Sequence, residues 1–272
     1  MSHGYHGRER LVSPDRPLDR CFPVCSLSRM KVLLRLLAGL AALTVIAYLI
    51  LGYAVGYFGG PLFFDVPARA PSKPGEEQVA AIVFSGNMGF HIGQALKVSN
   101  GLAVRGVPVV GVNSLTYFAG PRTSAEATAL VKAAIDRAQR DTHRDKLALI
   151  GISFGADILH VGLAGLPPAY RAKVRNVVLV VPGRILQLQA SPLEVMPFRT
   201  PDRDGTITGR QLGWTPVTCI RGAREEDSLC PLLTLPNVRQ VALPGGHMLE
   251  RNMDVLTAQL MRAIDEADPP KR

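Results

Sequence analysis

The chain has 272 residues, a formal net charge of +9 and a hydrophobic fraction of 47%. Such a composition supports a folded core, so it excludes a wholly disordered chain. The basic residues form no stripe interleaved with aromatic side chains, and we therefore expect no nucleic-acid binding.

The amino-terminal part of the chain contains a long apolar segment. No charged residue occurs from Leu36 to Gly60, a stretch long enough to cross the roughly 30 Å hydrocarbon core of a bilayer. Basic residues stay on the cytoplasmic side of a membrane, and the residues preceding this segment include Arg29, Lys31 and Arg35. We predict a cytoplasmic segment at 1–31, a transmembrane signal anchor at 32–60, and a carboxyl-terminal part outside the cytoplasm.

A cleaved signal peptide is the alternative for the same segment. Met30 followed by Lys31 is a second possible start. The apolar run is long for a signal peptide and lacks a clean small-x-small site at its end, which favours the uncleaved anchor. Residues 61–77, rich in proline and charge, are predicted to link the anchor to a domain at 78–272.

The four cysteines divide between the two sides of the membrane. Cys219 and Cys230 lie in the exported part, where disulfides persist, and we expect them to form a bond that closes a short loop. Two free buried thiols are the alternative. Cys21 and Cys25 precede the anchor and have no suitable histidine nearby, so we predict no metal site. No cofactor is expected.

Apolar strand-like segments alternate with helical segments after the linker. The predicted strands are Val79–Phe84, Val107–Val112, Lys146–Ile150, Val177–Val181, Val217–Arg221 and Val238–Ala242. The predicted helices are Ile92–Arg105, Ser124–Arg140, Phe154–Leu166 and Met248–Glu266. Continuous apolar strands without polar alternation are typical of a parallel sheet covered on both faces, so the fold class is α/β. The irregular region Leu186–Thr215 is either a lid or a long surface loop.

A nucleophile motif follows the third predicted strand. Gly151-Ile152-Ser153-Phe154-Gly155 is a G-x-S-x-G sequence between a strand and a helix. In that context the motif forms a sharp turn that exposes the serine hydroxyl at the edge of the sheet. The pattern therefore indicates a serine hydrolase of the α/β-hydrolase fold with Ser153 as nucleophile. A structural glycine turn is the alternative.

A serine nucleophile needs a base. In this fold the catalytic residues follow one another in the sequence as serine, acid and then histidine. His247 lies after the last predicted strand, in a glycine-rich loop that ends just before the final helix. We predict that His247 is the base. His143 and His160 precede the acidic loop in the sequence, so they do not fit the order serine, acid, histidine. His91 begins the first helix of the domain.

The acid is expected in the loop after the fifth predicted strand, which contains Glu225, Glu226 and Asp227. We predict Asp227, with Glu225 as the alternative. The expected Cys219–Cys230 bond would hold this loop in register. For the oxyanion hole, the backbone N–H groups of Phe154 and Asn87 are the candidates, because one opens the helix after Ser153 and the other lies in the glycine-rich loop after the first strand.

Five segments together resemble the VirJ/AcvB family of bacterial virulence-associated proteins. They are FSGNMGF at Phe84–Phe90, VPVVGVNSLTYF at Val107–Phe118, GISFGADIL at Gly151–Leu159, TCIRGAREEDSLCP at Thr218–Pro231 and PGGH at Pro244–His247. The paired cysteines around an acidic loop, combined with SFGAD, make this resemblance more specific than the nucleophile motif alone.

The resemblance implies a periplasmic α/β-hydrolase that cleaves aminoacylated phospholipid and releases lysine from lysyl-phosphatidylglycerol. Together with the predicted signal anchor, this places the expected location at the bacterial inner membrane. The resemblance also implies an association with type IV secretion, so secretion-system components are possible partners. We expect Glu225 or Glu226 to pair with a positive charge of the lysyl group. The alternatives are a general periplasmic carboxylesterase or thioesterase, and a non-catalytic accessory protein of secretion.

Overall fold

A computed structural model describes residues 24–71, 79–190 and 203–267 of the chain, with side chains from Arg29 onward. The start of the predicted cytoplasmic segment, most of the second half of the predicted linker and the centre of the predicted region 186–215 lie outside the described residues.

The described residues form alternating helices and strands, as the sequence predicts. The helices are α1 (Val24–Val55), α2 (Gly89–Ile92), α3 (Ala95–Ala103), α4 (Ser114–Tyr117), α5 (Ser124–Thr142), α6 (Phe154–Ala164), α7 (Pro168–Arg171), α8 (Gly205–Gly209) and α9 (Met253–Asp265). The strands are β1 (Phe63–Val66), β2 (Val79–Phe84), β3 (Val109–Val112), β4 (Lys146–Ile152), β5 (Val174–Val180), β6 (Ile185–Leu186), β7 (Arg203–Asp204), β8 (Val217–Gly222) and β9 (Val238–Leu243).

Seven of these strands form one sheet in the order β1-β3-β2-β4-β5-β8-β9. Neighbours from β3 to β9 run parallel, whereas β1 pairs antiparallel with β3 at one edge. β6 and β7 form a separate two-stranded ribbon. The predicted mostly parallel sheet of an α/β protein is therefore confirmed.

The central strands are buried on both faces, which explains their continuous apolar sequences. In β4, Leu147 and Leu149 belong to one core cluster, whereas Ala148 and Ile150 belong to the other. Successive side chains of a strand point to opposite faces of the sheet, so each face needs its own apolar residues. Helices α5 and α6 cover the first face, and α3 and α9 cover the second.

Two local predictions need correction. Residues Phe63–Val66 lie in the predicted linker but form β1, with Phe63 opposite Val112 of β3. A short edge strand with only partial burial carries little apolar signal. The predicted helix Ile92–Arg105 is divided at Gly93, where the backbone is extended.

The amino-terminal apolar segment forms the long helix α1. Residues Arg29–Val55 are apolar enough and long enough to cross a membrane, and their position near the amino terminus fits an anchor or a signal sequence. The chain divides into two compact units, one ending at Leu49 and the other starting at Ile50. The last turn of α1 therefore belongs to the unit that contains the sheet.

Candidate active site

The chain reverses its direction of winding across the sheet at β2. The next strand in sequence, β3, lies on one side of β2, and β4 lies on the other. A crevice forms at such a switch point, outside the carboxyl ends of the strands. The loop after β2 and the turn after β4 meet there, which places Asn87 and Ser153 at the same edge.

Ser153 occupies the sharp turn between β4 and α6. Its backbone has φ 54° and ψ −125°, a conformation that is unfavourable for a residue with a side chain and is typical of functional sites. The turn projects the hydroxyl away from the sheet edge, as the motif predicts. Gly155 is required two residues later, because a Cβ there would collide with the carbonyl oxygens of Phe84 and Ser85.

A continuous hydrogen-bonded chain links serine, histidine and glutamate. Ser153 Oγ lies 2.8 Å from His247 Nε2, and His247 Nδ1 lies 2.6 Å from Glu225 Oε1. A glutamate carboxylate only accepts hydrogen bonds, so Nδ1 carries the proton and the unprotonated Nε2 faces Ser153 Oγ, from which it can accept a proton. This is the arrangement that activates a serine nucleophile.

Glu225, and not the predicted Asp227, is the carboxylate that contacts His247. Glu225 follows a tight turn in which its N–H donates to the Gly222 carbonyl at 3.1 Å, and its Oε2 accepts the Gly222 N–H at 3.2 Å. The Glu225 side chain is 9% exposed. Asp227 is exposed instead, and its backbone carbonyl accepts the N–H of Arg184 at 2.9 Å.

The acidic loop and the histidine loop pack directly against each other. Ala223 N–H donates to the Leu243 carbonyl at 2.7 Å, and Arg224 N–H donates to the Gly245 carbonyl at 2.9 Å. A Cβ on Gly222 would collide with backbone atoms of Gly246, so glycine is needed for this approach. These contacts bring the Glu225 carboxylate to the imidazole.

The predicted disulfide between Cys219 and Cys230 is present, with the two Cα atoms 5.5 Å apart. Cys219 lies within β8, and Cys230 ends the acidic loop. The bond therefore ties the loop that carries Glu225 to the strand from which it emerges. Both cysteines are fully buried.

The two predicted oxyanion-hole residues flank Ser153. Phe154 is the first residue of α6, and the N-terminal end of a helix offers N–H groups and a positive dipole end. The loop after β2 lies close on the other side: a Cβ on Gly86 would be 3.4 Å from Ser153 Cβ. Asn87 follows Gly86 in this loop and shares a cavity with Ser153.

A cavity of about 310 Å³ opens beside the serine hydroxyl. Its lining is mostly apolar, with the side chains of Asn87, Gln94 and His247 as polar groups. The complete lining consists of Gly86, Asn87, Met88, Gly93, Gln94, Ile152, Ser153, Val181, His247 and Met248. Apolar walls with a few polar groups are typical of a small-molecule site.

Asp157 is an acidic residue near the site that the sequence analysis did not single out. Burial raises its pKa to about 7, although the Gly183 N–H and the nearby His247 act in the opposite direction. Its Oδ1 accepts the Gly183 N–H at 2.9 Å. Asp157 lies four residues after Ser153 on α6, and that spacing, which places two residues on one helix face, could have indicated it.

The other histidines of the domain lie apart from this hydrogen-bonded chain, as expected. His160 is buried, its Nδ1 lies 2.8 Å from Thr208 Oγ1, and burial lowers its pKa to about 3. His91 packs edge-on against Phe64. His143 ends α5 in a left-handed conformation.

Solved structures from several bacteria have the same fold as this chain. Est1E from Butyrivibrio proteoclasticus with bound ferulic acid is 15% identical, with a TM-score of 0.54 over 75% of this chain and 94% of that chain. An alpha-beta serine hydrolase homologue from Coxiella burnetii is 17% identical, with a TM-score of 0.51 over 74% and 89% of the two chains. At these identities the similarity shows the fold alone, which is the α/β-hydrolase fold.

Most of the chain is similar to one protein family. No curated protein matches the chain. Residues 78–268 match the family described as bacterial virulence protein (VirJ). This range covers the sheet from β2 onward, the serine turn, the acidic loop and the histidine loop. The chain therefore belongs to the VirJ family and has the α/β-hydrolase fold.

Proposed function

We propose that this protein is a membrane-anchored carboxylic ester hydrolase that removes the aminoacyl group from aminoacylated phosphatidylglycerol, with Ser153, His247 and Glu225 as its catalytic residues. The observation that carries the proposal is the unbroken contact from Ser153 Oγ through the imidazole to Glu225. A purely structural serine turn has no need of a histidine and a carboxylate aligned behind it.

The first half of the reaction is acylation of the serine. Ser153 Oγ attacks the ester carbonyl carbon while its proton moves to His247 Nε2, and Glu225 stabilises the resulting imidazolium. The backbone N–H groups of Phe154 and Asn87 donate to the oxyanion. The imidazolium then gives its proton to the leaving glycerol oxygen, which departs with the phospholipid as an alcohol.

The second half is hydrolysis of the acyl-enzyme. Water loses a proton to His247 Nε2 and attacks the acyl carbon, and the proton returns to Ser153 Oγ as the acyl–oxygen bond breaks. The products are a free amino acid and the restored serine. No redox step or cofactor is needed for this sequence.

The size of the cavity supports a small acyl group. About 310 Å³ is at the lower end of the volume of ligand pockets, which suits an aminoacyl group whose diacyl lipid remains outside. Met88 and Met248 line it and supply adaptable apolar contacts for a methylene chain. Lysine is our choice for this aminoacyl group, because the five sequence segments resemble a family for which lysyl-phosphatidylglycerol is the expected substrate.

Recognition of the positive charge on the lysyl group is assigned to Glu226. Glu225 was the other candidate, but its carboxylate is occupied by His247 and by the Gly222 N–H. Glu226 is the next residue of the same loop and is exposed, so its charge is available to a cationic substrate.

The cellular location follows from the charge of the amino-terminal segment. Arg29, Lys31 and Arg35 precede the uncharged run that starts at Leu36, which favours a cytoplasmic amino terminus and a catalytic domain in the periplasm, at the inner membrane. An outward-facing domain also agrees with the disulfide, which persists in oxidising compartments.

The test uses the full chain with lysyl-phosphatidylglycerol in mixed micelles, and its readout is free lysine. We expect release by the unaltered protein and loss of release in Ser153→Ala. Ser124→Ala is the matched control, because Ser124 also stands at the start of a helix but lies away from the cavity. This control should release lysine at the unaltered rate.

Two results would overturn the proposed substrate. Rapid hydrolysis of simple esters or thioesters without lysine release would instead assign a general carboxylesterase or thioesterase. A folded protein inactive on every ester would favour the accessory role in secretion.

A further inference from the structure

The end of the apolar helix is an integral part of the catalytic unit. Residues from Ile50 onward belong to that unit. Val55 is 3% exposed and lies in the core cluster on the α5 and α6 face of the sheet, and Leu51 packs against the same cluster. The end of the apolar segment itself therefore packs into the core of the catalytic unit.

Polar contacts hold this helix end on the loops that follow β2 and β3. Asn113 Nδ2 donates to the Val55 carbonyl at 3.1 Å, and Thr116 Oγ1 donates to the Gly56 carbonyl at 2.8 Å. Gly89 adopts a positive φ, and a Cβ there would be 2.5 Å from the Val55 carbonyl oxygen. The residue before Gly89 is Met88, which lines the active-site cavity.

The same helix end carries aromatic side chains at the level where a membrane surface would be. Tyr53 is 79% exposed and Phe58 is 51% exposed. Aromatic residues concentrate at the boundary between the hydrocarbon core and water. The apolar segment that could cross the membrane ends at Val55, so the boundary lies at the residue that contacts Asn113 and Gly89.

Three exposed apolar residues either line the active-site cavity or directly precede a lining residue, and we define Met88, Ile92 and Met248 as the apolar rim. These side chains belong to residues that are 38%, 48% and 48% exposed. Met88 and Met248 line the cavity, as does Gly93, the neighbour of Ile92. Large apolar side chains grouped around a site are typical of a surface that contacts another apolar phase.

We propose that the apolar rim docks on the bilayer in which α1 is anchored, so that the active-site cavity opens onto the lipid surface. The inference rests on the membrane anchoring in the proposed function and adds the route by which the substrate arrives. A phospholipid can present its headgroup ester to Ser153 while its acyl chains remain in the bilayer. The occupant of the rim is thus lipid and not a protein partner.

The experiment measures contact between the rim and lipid in the full chain, reconstituted into phosphatidylglycerol and phosphatidylethanolamine vesicles. Cys21 and Cys25 are replaced by serine, and one cysteine is introduced at Ile92 and labelled with an environment-sensitive fluorophore. Val104→Cys is the matched control, because Val104 is 49% exposed but lies between the end of α3 and the start of β3, whereas the cavity lies at the carboxyl ends of the strands. Lipids that carry a nitroxide on the acyl chain serve as the quencher.

A side chain at the headgroup boundary is buried roughly 5–10 Å into the interface, so we expect quenching of roughly twofold for Ile92→Cys and none for Val104→Cys. Equal quenching at the two positions, or quenching at neither, would overturn the docking. The measurement needs no turnover, so its failure is distinct from failure of the proposed hydrolysis, which is measured as lysine release.

Discussion

The carboxylate of Glu225 lies 2.6 Å from His247 Nδ1 and is also bound by the Gly222 N–H at 3.2 Å. One carboxylate thus orients the imidazole and is itself oriented by the turn that begins at the end of β8. Because the Glu225 carboxylate is held by a backbone N–H and backbone hydrogen bonds join the acidic loop to the histidine loop, the imidazole is positioned beside Ser153 before any substrate binds.

Replacing Glu225 and Asp227 one at a time distinguishes the two candidates for the catalytic acid. We expect Glu225→Gln to lower kcat by about 10³–10⁴-fold, because the imidazole loses its tautomer control and its compensating charge. Asp227→Asn should remain close to the unaltered rate, since only the Asp227 backbone is engaged. Steady-state hydrolysis of a soluble ester by both variants is the measurement. A larger loss in Asp227→Asn would contradict the assignment of Glu225.

The raised pKa of Asp157 predicts a pH-dependent stability. In the unfolded chain its pKa is the ordinary 3.8, and in the fold it is about 7, so the folded state binds the extra proton between these values. Stability from this group is therefore lost as pH rises from about 4 to 7. Asp157→Asn keeps an oxygen for the Gly183 N–H but cannot ionise.

The difference in Tm between Asp157→Asn and the unaltered protein should therefore shift in favour of the variant when the pH is raised from 5 to 8. Thermal unfolding of both proteins at the two pH values provides the comparison, in which the contributions of carboxylates that do not interact with Asp157 cancel. A Tm difference that does not change with pH would show that Asp157 has an ordinary pKa.

The disulfide should contribute to stability and to the geometry of the acidic loop. Replacing both Cys219 and Cys230 with alanine removes the loop constraint, and we expect the free energy of unfolding to fall by about 2–4 kcal/mol. Chemical denaturation measures this loss. The double variant of Cys21 and Cys25 to serine is the control and should unfold like the unaltered protein. Equal stability of both double variants would be inconsistent with a structural role for the bond.

Gly155 should tolerate no side chain. In Gly155→Ala the new methyl group would collide with backbone oxygens of Phe84 and Ser85, and we expect a loss of about 3 kcal/mol or more because the backbone must shift. Gly213→Ala is the control, since a Cβ at Gly213 meets nothing within 4 Å. Unfolding in denaturant compares the two variants. Similar free energies of unfolding for the two variants would indicate that the turn after β4 has room for a methyl group.

Charge recognition by Glu226 is tested through selectivity. We expect Glu226→Gln to raise KM for a lysyl ester by roughly 3–10-fold, as the loss of one exposed or partly desolvated ion pair allows, and to leave an alanyl ester of the same alcohol nearly unchanged. Asp227→Asn serves as the charge-matched control. If the ratio between the lysyl and alanyl esters is the same in all three proteins, Glu226 does not recognise the cation.

The sequence by itself determined the features that depend on local patterns. Continuous apolar runs predicted the buried parallel strands, because a strand covered on both faces needs apolar residues at every position. G-x-S-x-G between a strand and a helix located the turn at Ser153, and chain order singled out His247, which the structure places within 2.8 Å of it.

Only the tertiary structure decided between Glu225 and Asp227, assigned Phe63–Val66 to the sheet and placed the end of α1 against Asn113. Each of these depends on contacts between segments distant in sequence: the acidic loop against the Gly245–Gly246 loop, β1 against β3, and Val55 against the loops after β2 and β3. A local sequence pattern reflects only the conformational and burial preferences of its residues. Which of two nearby carboxylates binds the imidazole depends on how the acidic loop packs against the histidine loop.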